Sequence, residues 1–223
     1  MNKYFKESKY TYVLGISLVV EALKNRHSDI KEVYLSSNVI HNKEYDSLIS
    51  LCEKYHISYF ENDKVINSLS TKENCYGIAV INKYESQLTP STHLLLKDFN
   101  DEGELGTIIR SLASFNFKDL ALINSNIDIY DPKVIRSSMG GYFHINIVKY
   151  DSLEEYRSHY NKSIVSIGLS GKTELKKYKH KGDCSVLIDK NKDSDYYIEH
   201  KKESNLNDSS ICTIVLNHLF NQI

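Results

Sequence analysis

The chain has 223 residues, a formal net charge of −1 and 41% hydrophobic residues. This length allows one large or two small domains with a sizeable core. The near-zero charge argues against a chain that binds nucleic acid mainly through bulk positive charge. No apolar run is long enough to span a bilayer, and the start, MNKYFKESKY, has no apolar signal region. We therefore expect a cytoplasmic protein that does not enter membranes.

The first part of the chain alternates short helices and strands. Residues 1–11 predict an irregular arm or a short helix, in which Lys9 is a candidate phosphate contact. Helices are expected in VLGISLVVEALKN and in residues 46–55 and 63–69, and strands in EVYLS, ISYF and GIAVIN. This alternation predicts a small α/β sandwich. The stretch YESQLTPST, which contains one of only two prolines, predicts a linker.

The last part of the chain also alternates strands and helices. HLLLKDF, SIVSIGL, CSVLID and DYYI predict strands, and residues 151–160 and the chain from Leu206 onward predict helices. The final helix should place its apolar side chains near one face, namely Ile211, Ile214, Val215, Leu219 and Phe220. GLSGKTEL lacks the first glycine of a phosphate-binding loop and predicts an exposed turn. The alternation predicts a mostly parallel sheet.

Residues 101–148, between the first and the last parts of the chain, contain two units in which a loop leads into a helix. In the first unit Asp101 is placed to cap a helix, and Glu104 is expected to reach back to it, as in a capping box. Leu105 begins an apolar helical face, and Arg110 lies roughly 140° away from it. Arg110 should therefore face solvent, a ligand or another subunit.

The second unit starts at Asp131-Pro132, a cap followed by proline at the first helical position, and should end at Gly140-Gly141. Its sequence, DPKVIRSSMGGYFHINIV, and the preceding EGELGTIIRSLASF resemble the first motif and its continuation in the SpoU (TrmH-type) RNA ribose methyltransferases of the SPOUT superfamily. Gly103, Gly106 and Arg110 stand at motif positions. Glu102 and Glu104 replace the motif's proline and asparagine.

The N-terminal part resembles the small substrate-binding domain that precedes the catalytic domain in many SpoU members. The resemblance rests on GISLVVEAL, KEVYLS and CYGIAV. It implies an α/β protein with a small N-terminal α/β/α RNA substrate-binding domain (residues 1–84), a linker (85–92) and a SPOUT-like α/β methyltransferase domain (93–223). A C-terminal trefoil knot and a homodimer are implied as well.

The resemblance also implies a reaction. SpoU enzymes transfer a methyl group from S-adenosylmethionine (AdoMet) to a ribose 2′-hydroxyl, here of ribosomal or transfer RNA. Arg110 corresponds to the family's catalytic arginine. In SNLNDSS, which resembles the end of the third motif, Asn207 would hold the turn and Ser209 would orient the substrate. Arg136 is a candidate for contact with RNA or with a second subunit.

The implied cofactor positions are Leu187, Asp189, Ile198 and Leu206. Ile198 and Leu206 match the third motif of the family, whereas the second motif departs from the family pattern. Asp189 replaces the glycine of the second motif, and Asn191 replaces its glutamate. Glycine lets a backbone approach a ligand closely, whereas an added carboxylate should repel the carboxylate of AdoMet. We therefore expect weak AdoMet binding. Two hypotheses remain open: a methyltransferase with a weak cofactor site, or a chain without cofactor that acts as an RNA-binding or dimeric scaffold.

The four cysteines, Cys52, Cys75, Cys184 and Cys212, are far apart and form no CxxC pair. Structural zinc sites normally draw on closely spaced cysteine or histidine pairs. The spacing therefore predicts buried, reduced thiols and no bound metal.

Overall fold

The computed structural model describes residues 3–70, 75–182, 184–189, 193–201 and 206–222. The chain folds into two compact units. Unit 1 comprises Met1–Tyr84 and Asp128–Phe143, and unit 2 comprises Glu85–Ile127 and His144–Ile223. The segment Asp128–Phe143, which carries much of the SpoU resemblance, therefore packs with the N-terminal part of the chain.

The strands and α-helices alternate along much of the chain, and β8 to β11 follow one another without an α-helix between them. In order they are β1 (Tyr10–Leu14), α1 (Ile16–Arg26), β2 (Ile30–Leu35), α2 (Lys43–Lys54), β3 (Tyr59–Glu61), α3 (Asp63–Leu69), β4 (Gly77–Asn82), β5 (His93–Lys97), α4 (Glu102–Ser114), β6 (Asp119–Ile123), α5 (Pro132–Ser137), β7 (Asn146–Tyr150), α6 (Leu153–His159), β8 (Ile164–Gly168), β9 (Gly171–Glu174), β10 (Ser185–Ile188), β11 (Ser194–Tyr197) and α7 (Asp208–Phe220). Short 3₁₀ helices occupy His27–Asp29, Gly141–His144 and Leu175–Lys177.

Unit 1 is built on a four-stranded sheet in the order β1-β4-β2-β3. Strand β4 runs antiparallel to β1 and β2, and β3 runs parallel to β2 at one edge. Tyr12, Ile66, Ile78 and Val80 belong to one buried cluster of this unit. The prediction of a small α/β fold for the N-terminal part is confirmed.

The first strand departs from the prediction. Residues 10–14, YTYVL, form β1 instead of part of an irregular arm and the start of a helix. Their aromatic and β-branched side chains suit a pleated surface, and β1 pairs with β4 along its whole length. Gly15, with a φ of 113°, ends the strand and lets α1 begin at Ile16.

Helix α5 begins as predicted. The Asp131 carboxylate accepts a hydrogen bond from the Lys133 N–H at 2.7 Å, and Pro132 occupies the first helical position. The helix ends earlier than the predicted stop at Gly140-Gly141. The reason is that Met139 and Gly140 both adopt left-handed backbone angles, with φ values of 51° and 92°.

Unit 2 is built on a seven-stranded sheet in the order β7-β6-β5-β10-β8-β11-β9. Every neighbouring pair among these described strands is parallel, which confirms the predicted parallel sheet. Leu95, Ala121, Ile123, Tyr156 and Leu187 are buried together in its core.

Strand β9 corrects the prediction of an exposed turn. Gly171–Glu174, within GLSGKTEL, forms an edge strand parallel to β11. The partner strand comes later in the chain, beyond β10, so no local pattern indicates this pairing. Strand β11 lies between β8 and β9, although β8 and β9 follow each other along the chain.

Helix α7 buries only part of its predicted apolar face. Ile211, Val215 and Leu219 are fully buried, whereas Ile214 and Phe220 are 38% and 49% exposed. Cys212 and Leu216, which directly follow Ile211 and Val215, are also buried, so α7 buries a broad side that leaves out Ile214 and Phe220. Of the five residues predicted near one face, Ile214 and Phe220 are the exposed ones.

The four cysteines are buried and are not joined in disulfides, and all lie in the described part of the chain. This confirms the prediction of buried, reduced thiols. Among the described residues, no group of three or more His, Cys, Asp or Glu side chains is arranged to hold a metal ion. No described helix has the length and apolarity needed to cross a membrane.

Candidate active site

Arg110 stands on the outer side of α4. The helix is capped by Asp101, whose Oδ1 accepts a hydrogen bond from the Glu104 N–H at 2.9 Å. Leu105 and Ile109 are fully buried on the opposite side, and Arg110 is exposed, as predicted. Its guanidinium makes no hydrogen bond or ion pair with any described residue. Arg110 is thus a cation that no described residue neutralises.

Glu104 is not the second half of a capping box. Instead of reaching back to Asp101, its Oε2 accepts a hydrogen bond from the Ser209 N–H at 2.9 Å. Ser209 lies in the first turn of α7, where backbone N–H groups have no helical partner and the helix dipole favours a negative charge. The carboxylate at a position where the resemblance implies asparagine therefore fastens the start of α4 to the start of α7.

The predicted third-motif residues meet at the start of α7. Asn207 is the N-cap, and its Oδ1 accepts from the Ser210 N–H at 3.0 Å and from the Ser209 hydroxyl at 3.2 Å. Ser209 is only 8% exposed. Leu206, half-buried, directly precedes the cap. Ser204 and Asn205, the first residues of SNLNDSS, lie outside the described residues.

Helices α4 and α7 lie side by side and run in the same direction. Beyond the Glu104 contact, the Ser111 and Thr213 hydroxyls are 2.9 Å apart. Near the other end, the rings of Phe115 and Phe220 are 5.8 Å apart. Thr213 also donates to the Ser209 carbonyl at 2.8 Å. We call α4 and α7, with these contacts, the helix pair.

The end of β10 is bound to the end of β8 through backbone groups. The Asp189 N–H donates to the Ile167 carbonyl at 3.1 Å, and the Asp189 carbonyl accepts from the Ser194 hydroxyl at 3.3 Å. A Cβ on Gly168 would overlap that same carbonyl oxygen. The backbone of Asp189 is therefore engaged within the protein, and Asn191 lies outside the described residues.

The start of β11 is fastened to β8 by an ionised carboxylate. The Ser166 N–H and hydroxyl donate to Asp195 Oδ2 at 3.0 and 2.9 Å. These hydrogen bonds, the backbone one foremost, lower the pKa of Asp195. The carboxylate stays charged at neutral pH and joins β11 to β8.

Ile198, just past β11, is the predicted cofactor residue that borders a cavity. Its N–H donates to the Gly168 carbonyl at 2.9 Å, and its side chain is 5% exposed. It lines a cleft of about 420 Å³ together with residues that include Leu175, Ile214 and His218. This cleft follows the C-terminal half of α7, whereas Asn207 and Ser209 stand at the helix start.

The carboxyl ends of the strands in unit 2 are placed where an AdoMet site is expected, but some of their side chains are not suited to it. Ligands of open parallel sheets bind beyond the carboxyl ends of the strands, and Asp189 and Ile198 are both held there. Leu187, however, is buried in the core and presents no side chain to a ligand. Asp189 adds a carboxylate where the resemblance implies glycine. The described residues thus fit AdoMet by position, whereas the Asp189 carboxylate has the same sign of charge as the carboxylate of AdoMet.

The two predicted RNA contacts, Arg136 and Lys9, belong to unit 1. Arg136 is half-buried on α5, and Lys9 is exposed directly before β1. The remaining candidates all belong to unit 2, where the structure joins Asn207 and Ser209 to α4 and brings Asp189 and Ile198 to the end of β8.

Two residues that shape this region were not predicted as part of it. Gly168 allows the ends of β8 and β10 to touch, and Asp195 fastens β11. A glycine at the end of a strand is a recognised sign of close backbone approach, so Gly168 could have been found in the sequence. Asp195 gives no such sign, because its partner Ser166 lies on a separate strand.

A solved structure shares this fold. The crystal structure of the SpoU methyltransferase AviRb from Streptomyces viridochromogenes, in complex with the cofactor AdoMet, aligns with a TM-score of 0.76 and 19% identity. The alignment covers 96% of this chain and 90% of that one. At this identity the likeness establishes the class of fold, an α/β protein with a parallel sheet.

Sequence comparison identifies relatives over shorter stretches. The mitochondrial rRNA methyltransferase 3 of Xenopus laevis is 30% identical over 97 residues, 40% of this chain and 23% of the relative. The 23S rRNA (guanosine(2553)-2′-O)-methyltransferase RlmP of Bacillus subtilis is 26% identical over 137 residues, 60% of this chain and 52% of the relative. The chain therefore spans well under two thirds of the length of these curated relatives.

Two family models match the chain one after the other. The RNA 2′-O ribose methyltransferase substrate-binding family matches residues 12–87, and the SpoU rRNA methylase family matches residues 91–190. Together the two matches span most of the chain. Residues 91–190 are thus similar to SpoU rRNA methylases, and residues 12–87 are similar to the substrate-binding domain of RNA 2′-O ribose methyltransferases.

Proposed function

We propose that the chain is an AdoMet-dependent methyltransferase that modifies a ribose 2′-hydroxyl of ribosomal or transfer RNA. The match of residues 91–190 to the SpoU rRNA methylases supports this proposal, as do the names of the relatives, which specify ribosomal RNA and, in one case, 2′-O transfer. The observation that carries it is Arg110, an exposed guanidinium without a partner among the described residues. It stands on the helix that is fastened to Asn207 and Ser209 through Glu104.

The chain's own task in this reaction is to hold the ribose hydroxyl and to help it lose its proton. Arg110 provides a fixed positive charge that stabilises the alkoxide as it develops. Asn207 caps α7 and holds the turn. Ser209 is buried and donates to Asn207, so we assign it a positioning role in place of the direct substrate contact that the sequence suggested.

AdoMet, when bound, supplies an electrophilic methyl group. The chain would hold it at Asp189 and Ile198, which follow β10 and β11 and lie near Leu187, and at Leu206 before α7. The AdoMet complex of the related AviRb supports this choice of cofactor. We propose that binding is weak, because Asp189 places a carboxylate in the second motif.

A trefoil knot and a homodimer belong to the same proposal. The insertion of β11 between β8 and β9, which are consecutive along the chain, supports a threaded C-terminal segment. Ile214 and Phe220 leave apolar surface exposed on α7, which supports pairing through the catalytic domain. Light scattering at tens of micromolar protein tests the dimer, and a monomer would contradict it.

The domain division and the location of the protein also remain proposals. Residues 1–84 would form the RNA substrate-binding domain, residues 85–92 the linker and residues 93–223 the methyltransferase domain. The two family matches, to residues 12–87 and 91–190, support this division. A cytoplasmic location remains a prediction from the sequence.

A second candidate function is an RNA-binding or dimeric scaffold that does not use AdoMet. Asp189 favours it, since its carboxylate replaces the glycine and its backbone is already engaged by Ile167 and Ser194. In this alternative the helix pair is retained for folding and dimerisation only. The two candidates differ in one measurable property, transfer of a methyl group to RNA.

The test is methyl transfer from tritium-labelled AdoMet at high concentration to total ribosomal RNA and, separately, to transfer RNA. Nuclease digestion and chromatography then identify the labelled nucleoside. The proposal predicts a 2′-O-methylated nucleoside. Label in a base-methylated nucleoside would contradict the proposed chemistry, and no label with either RNA would favour the scaffold.

A further inference from the structure

Unit 1 contains a cavity of about 660 Å³ beside α5. Its walls include Tyr4, the end of β1 at Leu14, the end of α3 at Leu69, and α5 with the residues that follow it. This volume lies within the usual range for small-ligand sites, which are mostly apolar with a few polar groups that fix orientation. All the described residues that line this cavity belong to unit 1.

Met139, on the wall of this cavity, has an unusual conformation. It is 64% exposed and has a φ of 51°. The other described non-glycine residues with positive φ are asparagine, aspartate or histidine, which tolerate the left-handed region far better than methionine does. A large apolar side chain held out to solvent on a strained backbone points to a function outside the core.

The cationic side of the cavity is formed by α5. Arg136 is half-buried, and its guanidinium makes no hydrogen bond or ion pair with any described residue; Lys133 is exposed at the same wall. Asp131 is the only acid among the described lining residues, and its Oδ1 already accepts from the Lys133 backbone N–H. Two cations against one engaged carboxylate favour an anionic ligand.

A neighbouring cleft of about 480 Å³ meets the cavity at Leu14, Arg136 and Met139. It is lined by two acids, Glu21 and Glu44, and Arg136 is the only cation among its described lining residues. Its charge opposes a phosphate. Of the two spaces that share Arg136, the larger one is therefore suited to an anion.

We propose that the larger cavity binds one unpaired nucleotide of the RNA substrate, an inference that rests on the proposed function. The phosphate pairs with Arg136, whose planar fork matches phosphate oxygens, and Lys133 adds a second charge. The base packs against Met139, a flexible and polarizable side chain that adapts to flat rings. A duplex cannot enter a concave cavity of this size, whereas an unstacked base can.

The test uses the full-length protein and two probes. One probe is a short fluorescein-labelled single-stranded RNA that contains all four bases, and the other is the same RNA annealed to its complement. Fluorescence anisotropy gives affinities over a range of salt concentrations. The variants are Arg136→Gln, Lys133→Gln and Met139→Ala, with Lys64→Gln, an exposed lysine on α3, as the matched control. Urea unfolding confirms that each variant is folded.

The single-stranded probe should bind more tightly than the duplex. Arg136→Gln should weaken that binding about 10-fold and reduce the slope of log K against log salt by about 0.7, the value for one phosphate contact on a single strand. Met139→Ala should weaken binding without changing the slope. Lys64→Gln should leave both quantities unchanged.

The inference would be overturned if Arg136→Gln had the same affinity and the same salt slope as the unmodified protein. It would also be overturned if the duplex and the single strand bound equally well. A failure of the unmodified protein to bind either RNA would overturn it as well. The methyl-transfer assay tests the proposed function separately. Label in RNA would support the proposed function even if the cavity does not bind a nucleotide, and no label in either RNA class would contradict it.

Discussion

The helix pair and the strand ends of unit 2 have kept different amounts of the family pattern. In the helix pair, Glu104 stands where the resemblance implies asparagine, and its carboxylate accepts a hydrogen bond from the start of α7. At the strand ends, Asp189 replaces a glycine, and its backbone is engaged by β8 and Ser194. One substitution is compensated by a contact, and the other adds a charge next to a proposed ligand site.

This difference shows that the parts of one active site can change separately. The helix pair is held by packing and by hydrogen bonds along its length, so a single exchange has many neighbours that preserve the geometry. A loop that binds a cofactor through its backbone depends on a few positions. We therefore expect catalytic geometry to be retained and cofactor affinity to be reduced.

The largest expected effect tests the helix pair at Arg110. Arg110→Ala should lower methyl transfer at least ~100-fold, the scale of losing one group that stabilises the transition state. Stability should change by no more than roughly 0.5 kcal/mol, because the side chain is exposed. The measurement is initial rate with labelled AdoMet on the RNA that accepts label.

Arg157→Ala, an exposed arginine on α6, is the matched control and should keep full activity. If Arg110→Ala were as active as the unmodified protein, Arg110 would have no part in the reaction.

The next effect tests the packing of the strand ends. Gly168→Ala should destabilise the protein by about 2 kcal/mol, the usual scale of overpacking, because the new Cβ would overlap the Asp189 carbonyl oxygen. Gly182→Ala is the control, since a Cβ there meets no atom within 4 Å. Urea unfolding gives both values. Equal stabilities would mean that β8 and β10 do not approach closely at Gly168.

A smaller effect tests the bond that joins the two helices. Glu104→Ala removes the acceptor of the Ser209 N–H and a favourable charge at a helix start, and should cost about 1 kcal/mol. Glu104→Gln keeps an acceptor oxygen and should cost less. Glu102→Ala, on the same turn, is the control. A Glu104→Ala variant no less stable than Glu102→Ala would show that the bond contributes nothing.

The smallest effect concerns His93, buried at the start of β5. Its Nδ1 is 2.7 Å from the Tyr156 hydroxyl and its Nε2 is 2.6 Å from the Thr89 carbonyl. Burial lowers the pKa of His93, so the unfolded chain binds a proton at a higher pH than the folded protein does. The stability from neutral His93 is complete above the unfolded pKa of about 6.5 and is lost as pH falls.

The free energy of unfolding should therefore decrease between about pH 7.5 and about pH 5.5. His93→Gln, which does not titrate, should show a smaller decrease in urea unfolding at the two pH values. His180, whose pKa burial also lowers, remains in both proteins and accounts for part of the residual change. An unchanged pH dependence would exclude His93 as a contributor.

The fold could be predicted from the sequence to a large extent. Strong local signals, such as the Asp101 cap and the Asp131-Pro132 helix start, correspond to helix starts in the structure. Strand β9 could not be found, because four residues at a sheet edge gain their structure from β11, a partner distant along the chain.

The sequence predicts where residues of the candidate site lie on their helices better than it predicts which residues they contact. The exposure of Arg110 and the capping role at Asn207 follow from helical periodicity and cap preferences. The bond from Glu104 to Ser209 could not be predicted, since a local capping box competes for the same carboxylate and only the packing of α4 on α7 decides between them. The role of Asp189 rests on its place in the family pattern.

The central claim is that the methyltransferase framework is retained while Asp189 weakens cofactor binding. Calorimetric titration of AdoMet into the purified protein tests it most directly. The same titration of Asp189→Asn, which removes only the charge, and of Asp189→Gly, which also removes the side chain, separates the effect of charge from that of side-chain size. We predict a Kd of about 100 μM or weaker for the unmodified protein and roughly 10-fold tighter binding for Asp189→Gly. Low-micromolar binding by the unmodified protein, unchanged in Asp189→Gly, would contradict this account.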